Sequence, residues 1–250
     1  MLDAPSKAVF HGLAQVALLQ RLASRYGMAD CSGFARRFIA GESIEEAIAG
    51  VQDLPDKGLQ LTLDYLGESV GTSEAAAAAA AADYVQTIDA IVASGIERNI
   101  SLKLTQLGLD VDHATAVDNM RRILEASDRH GFFVRIDMES SHYTAATLDI
   151  LETLWQQGHR EIGTVIQTCL KRSEADIDRL NAMGVRVRLV KGAYKEPRSV
   201  AYQKKSEVDA AYVELMRALL DAGTYPAIAT HDPAMIDEAK AYVRRKGYAL

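Results

Sequence analysis

The sequence predicts an α/β fold: a (β/α)8 TIM-type barrel, incomplete at about six of its eight strands and preceded by N-terminal helices. Three observations predict it. From Leu59 onward, short apolar segments alternate with amphipathic helical ones. The connections between them are only a few residues long, which suits parallel strands joined by right-handed crossovers. A polar or charged residue closes every strand at its carboxyl end, the face on which barrel enzymes build their sites.

Residues 1–57 read as a helical segment and 58–250 as the barrel part. Helical periodicity covers residues 5–53, with Ser43-Ile-Glu-Glu46 at the spacing of a capping box. Leu54-Pro-Asp-Lys-Gly58 then breaks the helix. Strands are expected at Leu59–Tyr65, Asn99–Leu104, Phe132–Asp137, Gly163–Thr168, Val185–Lys191 and Pro226–Thr230, each apolar or β-branched before it turns polar. Helix starts fall between them. Thr72-Ser-Glu74 precedes the alanine run Ala75–Ala82, Asp112 precedes 114–130, and Ser173 to Asp176 resembles a second capping box. Asp232 caps a helix that has Pro233 at its first position and Gly247 at its close. An open dinucleotide-binding sheet would carry Gly-x-Gly-x-x-Gly after its first strand, and Leu63-Asp-Tyr-Leu-Gly-Glu68 offers no such loop.

Composition narrows the function classes. At 250 residues and 48% hydrophobic the chain can bury one substantial core. A net charge of −6 argues against nucleic acid as a partner, because no basic stripe exists to neutralise phosphates. The two cysteines, Cys31 and Cys169, are far apart, which excludes a disulfide scaffold and suits a reducing cytosol. No secretory signal opens the sequence and no apolar run approaches the ~20 residues of a membrane span. Cytoplasmic localisation is expected, with peripheral contact at the inner face of the cell membrane left open. The histidines lack metal-ligand spacing, so no metal site is expected.

Asp64, Lys103, Asp137, Gln167, Arg188 with Lys191, and Thr230-His231 stand at the strand ends. Strand alternation puts Arg186, Arg188 and Val190 on one face, and a charge directed into a barrel is costly unless paired or met by a ligand. Lys191-Gly-Ala-Tyr194 follows at once, small residues over which backbone can approach a flat ligand. This pattern marks a site. It leaves open a Schiff-base lyase or aldolase using Lys103 or Lys191, and a non-catalytic barrel scaffold.

Ser101-Leu-Lys-Leu-Thr-Gln-Leu-Gly108, Val134-Arg-Ile-Asp-Met-Glu139 and Arg188-Leu-Val-Lys-Gly-Ala-Tyr194 resemble the signature strands of the proline dehydrogenases. Thr62-Leu-Asp-Tyr-Leu-Gly-Glu68 and Ala229-Thr-His231 extend the likeness, which runs in order from about residue 30. The resemblance implies a distorted barrel holding FAD, oxidation of L-proline to 1-pyrroline-5-carboxylate, and electrons passed to a membrane quinone. It implies Asp137 and Arg188 as the catalytic pair and Lys103 as a proline-binding residue. Met138, Gln167, Lys191, Gly192, Ala193, Thr230 and His231 would contact FAD. In the family two further strands and a final helix follow, the helix supplying an Arg pair and a Glu to the substrate. The chain therefore reads as C-terminally truncated, with Gly247–Leu250 leading into a seventh strand, and the isolated polypeptide is expected to be nearly inactive.

Other residues take ordinary roles on this reading. Asp64 and Glu68 are loop or cap partners, Cys31 and Cys169 buried small hydrophobes, and Lys204-Lys205 and Arg244-Arg-Lys246 helix-surface charges. Contact of Tyr194 with the pocket is left open.

Overall fold

The computed structural model describes residues 39–67 and 69–248, and the chain divides into two compact units, Met1–Leu61 with Ala93–Ile96 and Thr62–Val92 with Glu97–Leu250. The expected helical stretch 5–38, His11, Cys31, Glu68 and the last two residues of the expected lead-in, Ala249 and Leu250, lie outside the described residues.

In the first unit, α1 spans Ile44–Val51 and a 3-10 turn spans Pro55–Lys57. The Ser43 hydroxyl accepts from Glu46 N–H at 3.3 Å, half of the expected capping box. The other half is displaced by one residue: Glu46 accepts from Glu42 N–H at 3.1 Å rather than from Ser43.

The second unit holds one parallel six-stranded sheet in the order β1-β2-β3-β4-β5-β6. Its elements run β1 Leu63–Asp64, α2 Glu74–Ser94, β2 Asn99–Leu102, α3 His113–Asp128, β3 Phe133–Ile136, α4 Ser141–Gln156, β4 Ile162–Gln167, α5 Ser173–Met183, β5 Arg186–Val190, α6 Lys205–Ala222, β6 Thr224–Ile228 and α7 Pro233–Lys246. Strictly sequential parallel strands with a helix in every crossover are the arrangement the alternation predicts.

Register separates the two faces of the sheet. Ile100, Val134 and Ile162 align across β2, β3 and β4 and are essentially buried, and Leu102, Ile136, Thr164 and Val187 form the next such row. This apolar face is the one the helices cover. The alternate residues Ser101, Arg135, Gly163, Arg186 and Thr224 align across β2 to β6 on the inner face. A one-residue slip would exchange the two sets, so burial of the apolar rows holds the register. The alanine run now has its reason: Ala77, Ala80 and Ala81 are buried at helical spacing ahead of Tyr84, Ile88 and Ile91 in α2. Small side chains let that helix lie close to its neighbours.

Four local expectations need correction. The first strand shortens from Leu59–Tyr65 to Leu63–Asp64, because pairing with β2 extends over two residues and Leu59 and Tyr65 are exposed. The last strand begins at Thr224, two residues earlier than expected. Register jumps there, Arg186 facing Thr224 but Arg188 facing Ala227, so a bulge accommodates Pro226, which has no N–H for a ladder. Ser173 forms no capping box. Its hydroxyl donates to the Gln167 carbonyl at 2.6 Å, and Asp176 receives both arms of Arg172 instead. Lys205 is no plain surface charge, as its partners below show. The Asp112 and Asp232 caps form as expected, accepting from Thr115 N–H at 2.7 Å and Ala234 N–H at 3.1 Å. Gly247 closes α7 in the left-handed region, and the Tyr248 hydroxyl donates to Asp221 at 2.8 Å.

Candidate active site

Counting two residues on from the row Ser101–Arg135–Gly163–Arg186 gives Lys103, Asp137, Val165 and Arg188, with Ala227 beside Arg188. Lys103 and Asp137 lie just beyond the ends of their strands, and Asp137 N–H donates to Leu102 C=O at 2.8 Å, so the ladder continues through them. Three residues far apart in sequence thereby share one row at the carboxyl end of the sheet.

Within this row Arg188 Nη1 stands 3.7 Å from Asp137 Oδ1, and Lys103 Nζ stands 3.4 Å from Asp64 Oδ2. Burial pushes the Asp137 carboxyl above its usual range, opposed by Arg188, while the nearby charge of Asp64 adds to the rise. The hydroxyl of Tyr84, from α2, lies 3.2 to 3.4 Å from Gln106 Oε1, Tyr65 O and Asp64 Oδ1. Burial, then the charge of Asp64, raise that phenol far above its ordinary value, so it serves as a neutral donor. The strand-end acid Asp64 is therefore a partner of Lys103 and Tyr84.

Buried polar contacts support this rim from below. The Glu139 carboxylate accepts from Thr105 N–H at 3.2 Å and from the Thr105 hydroxyl at 2.7 Å. Gln167, 3% exposed at the end of β4, donates from Nε2 to the Glu139 carbonyl at 2.8 Å. The loop after β5 is pinned on two sides: Glu196 accepts from Ser141 N–H at 2.7 Å at the start of α4, and Tyr202 N–H donates to Cys169 C=O at 2.8 Å. Gly192 lies in that loop at φ 102°, a conformation open mainly to glycine, and a Cβ there would collide with Cys169 Sγ. Cys169 itself is buried, and burial pushes its thiol up, as a packing role requires.

Lys191 stands apart from the Asp137–Arg188 pair. Its ammonium lies 2.5 Å from Asp209 Oδ1 in α6 and 2.7 Å from Asp232 Oδ2, the N-cap of α7. Lys205 joins the same two carboxylates, at 3.2 Å from Asp232. Hydrogen bonds from Lys191 and Lys205 hold Asp232 down to about 2. For Asp209, burial pulls upward but the same two lysines outweigh it. The network ties the end of β5 to α6 and α7.

All the site residues expected from sequence lie at or just past the carboxyl ends of their strands. Met138 is buried behind Asp137, Gly192 and Ala193 are exposed, Thr230 accepts from Asp232 N–H at 3.1 Å, and His231 is exposed beyond β6. Tyr194 is 40% exposed. Sequence reasoning missed Tyr84, Gln106, Arg135, Glu139, Asp209 and Lys205. Arg135 carried a readable signal, a charge inside an apolar strand; Lys205 and Asp209 carried the i,i+4 spacing of an ion pair, Gln106 and Glu139 stand within the family-like strings, and Tyr84 acts through partners distant in sequence. Among the described residues no cluster of three His, Cys, Asp or Glu stands within metal-binding range.

A parallel α/β sheet with carboxylates and cations gathered at its carboxyl end is the arrangement on which barrel-type α/β enzymes build their sites. The sequence profile described as proline dehydrogenase matches residues 47–249. Proline dehydrogenase 2 of Bacillus subtilis (strain 168) is 37% identical over 237 residues, which are 95% of this chain and 77% of that protein. The proline dehydrogenase of Deinococcus radiodurans is 40% identical over 217 residues, 85% of this chain and 70% of the other. Among solved structures, proline utilization A (PutA) from Bdellovibrio bacteriovorus, inactivated by N-propargylglycine, superposes with a TM-score of 0.80 at 24% identity. That match covers 93% of this chain but only 28% of the PutA chain, and it speaks to the fold alone. The chain belongs to the proline dehydrogenase family of oxidoreductases.

Proposed function

We propose that the protein oxidises L-proline to 1-pyrroline-5-carboxylate in the first step of proline breakdown, with FAD as the hydride acceptor and a membrane quinone as the onward electron acceptor. The observation that carries this reading is the row in which Lys103, Asp137 and Arg188 meet at the ends of three parallel strands, Asp137 3.7 Å from Arg188. The residues present fit the cofactor. Gly192, at φ 102°, lets the loop after β5 close onto the buried Cys169 and Gln167, which fixes the backbone wall against which a flat ring would lie. Lys103, Arg135 and Arg188 against Asp64 and Asp137 leave positive charge over, which suits a group that becomes electron-rich on reduction. Met138, Gln167, Lys191, Gly192, Ala193, Thr230 and His231 would hold FAD, and Lys103 would bind proline.

When bound, FAD supplies the acceptor for the hydride that leaves the carbon next to the proline nitrogen. The chain's own residues bind and orient. Arg188 and Lys103 present positive charge at the mouth, where negative charge grows as the hydride is transferred. Asp137, behind Arg188, helps order the pocket's polar network. The substrate reacts as the free amine, so its nitrogen lone pair can drive formation of the C=N bond while the amine proton passes to solvent. Rates should therefore rise with pH until the protein itself fails. Lys103 and Lys191 each pair with carboxylates, whereas a Schiff-base amine must be neutral to attack, so this geometry does not favour the lyase reading. Delivery to the quinone would occur by peripheral contact at the cytoplasmic face of the membrane.

The test is anaerobic mixing of L-proline with the flavin-loaded product of the whole gene. Loss of the oxidised flavin band, greatly slowed in Arg188→Met, is the expected result. A flavin-loaded protein that L-proline never bleaches overturns the reading.

A further inference from the structure

Arg135 is the one arginine among the described residues that is less than a tenth exposed, and no carboxylate of those residues forms an ion pair with it. It sits on the inner face of β3, 8% exposed, and its Nη1 has no hydrogen-bond partner. A guanidinium taken out of water without a partner is costly, so its retention calls for a compensating negative charge nearby. Part of the compensation is the Phe133 ring, whose centroid lies 5.1 Å from Arg135 Cζ and 4.8 Å from Arg186 Cζ. Gly163, between Arg135 and Arg186 in the register, makes room, since a Cβ there would come within 2.7 Å of Phe133 Cζ. Aromatic contact does not neutralise a charge.

The matching anomaly lies two residues on along the same face. Asp137 Oδ1 is buried and has no hydrogen-bond partner, since Arg188 at 3.7 Å is within ion-pair range only. The charged and titratable groups facing this carboxyl are Asp64 beyond β1, Lys103 beyond β2, Arg188 on β5, Arg135 on β3 and the Tyr84 phenol on α2. Lys103 is engaged by Asp64 at 3.4 Å. An unsatisfied donor and an unsatisfied acceptor of opposite charge thus stand on alternate residues of one strand. We propose that Arg135 is a positioning residue for the Asp137–Arg188 pair, its buried charge holding Asp137 as the carboxylate that Arg188 requires as a partner. Burial, then repulsion from Arg188, pull the Arg135 guanidinium down to about 10, which leaves it charged at neutral pH. The inference rests on the function above only in treating Asp137 and Arg188 as the reacting centre.

The experiment uses the full chain with Arg135→Met and Arg135→Lys. Titration of the Asp137 carboxyl carbon is followed by 13C NMR, with the signal assigned by its loss in Asp137→Asn. The acid limb of proline oxidation is followed in parallel. Arg135→Met is expected to move the Asp137 titration to higher pH and the acid limb with it, and Arg135→Lys to restore both. An Asp137 titration that does not move in folded Arg135→Met overturns the proposal, since a packing role alone would lower thermal stability and leave the titration in place. If Arg135→Met does not fold, Arg135→Gln gives the same comparison. A titration that moves in a protein whose flavin L-proline never reduces supports the role of Arg135 and overturns only the function.

Discussion

Replacing Gly192 by Ala tests whether the loop after β5 is packed tightly onto Cys169 and Gln167. The residue sits at φ 102°, where an L side chain costs about 1–3 kcal/mol. The added methyl would also meet Cys169 Sγ and lie 3.1 Å from Gln167 Oε1, both on buried side chains, and overpacking of this kind adds about 1–3 kcal/mol. A total of roughly 2–6 kcal/mol corresponds to a fall of about 4–24 °C in Tm for a chain of this size. Thermal unfolding by circular dichroism reads the loss. The double variant with Cys169→Ala divides it, because removing the sulfur relieves the collision and leaves the backbone strain. The cycle should show a coupling of about 1 kcal/mol or more. Displacement of Gln167, which donates to the Glu139 carbonyl at 2.8 Å, should also weaken flavin retention. A Gly192→Ala protein within about 0.5 kcal/mol of the parent, or a cycle in which the two changes simply add, refutes the reasoning.

Asp137→Asn should remove the pH dependence that this carboxyl imposes on stability and slow proline oxidation. Burial raises this carboxyl in the folded state, so its contribution is favourable below the ordinary carboxylate pKa and is lost as pH rises through the raised value. Unfolding midpoints of parent and variant, compared across the acid range, should diverge upward in pH; parallel curves would contradict this. Asp221 has the opposite sign. Hydrogen bonds from Tyr242, Tyr248 and Lys246 lower it from 3.8 to about 2, so its contribution is present above 3.8 and lost as pH falls toward 2. Asp221→Asn should be less stable than the parent at neutral pH and match it near the acid end of that window; an equal deficit at both would be the contrary result. Ser173→Ala removes one of two donors to the Gln167 carbonyl, Leu170 N–H at 3.1 Å remaining, and should cost about 0.5–1.5 kcal/mol in urea denaturation, whereas an unchanged midpoint would show that the bond carries no weight.

Much of the fold was legible because its signals are local. Apolar runs of strand length, the Asp112 and Asp232 caps, and Pro233 with Gly247 at the two ends of α7 depend on neighbours a few residues away. The errors fall where a distant partner overrides a local preference. Ser173 gives up a cap for the Gln167 carbonyl, and Lys205 turns to Asp232. β6 begins early because its bulge is defined only against β5.

By itself the sequence determined the order of elements, the residues at each strand end and the family, since these follow from periodicity and from contiguous strings such as Arg188–Tyr194. Which of those residues meet follows from how the strands pair. Strand register sets Lys103, Asp137 and Arg188 in one row and takes Lys191 away into carboxylates from α6 and α7. It also leaves Arg135 buried beneath them without an ion-pair partner among the described residues. The physical reason is that register is held by burial of the opposite, apolar face, a property of the whole sheet that no short stretch of chain contains.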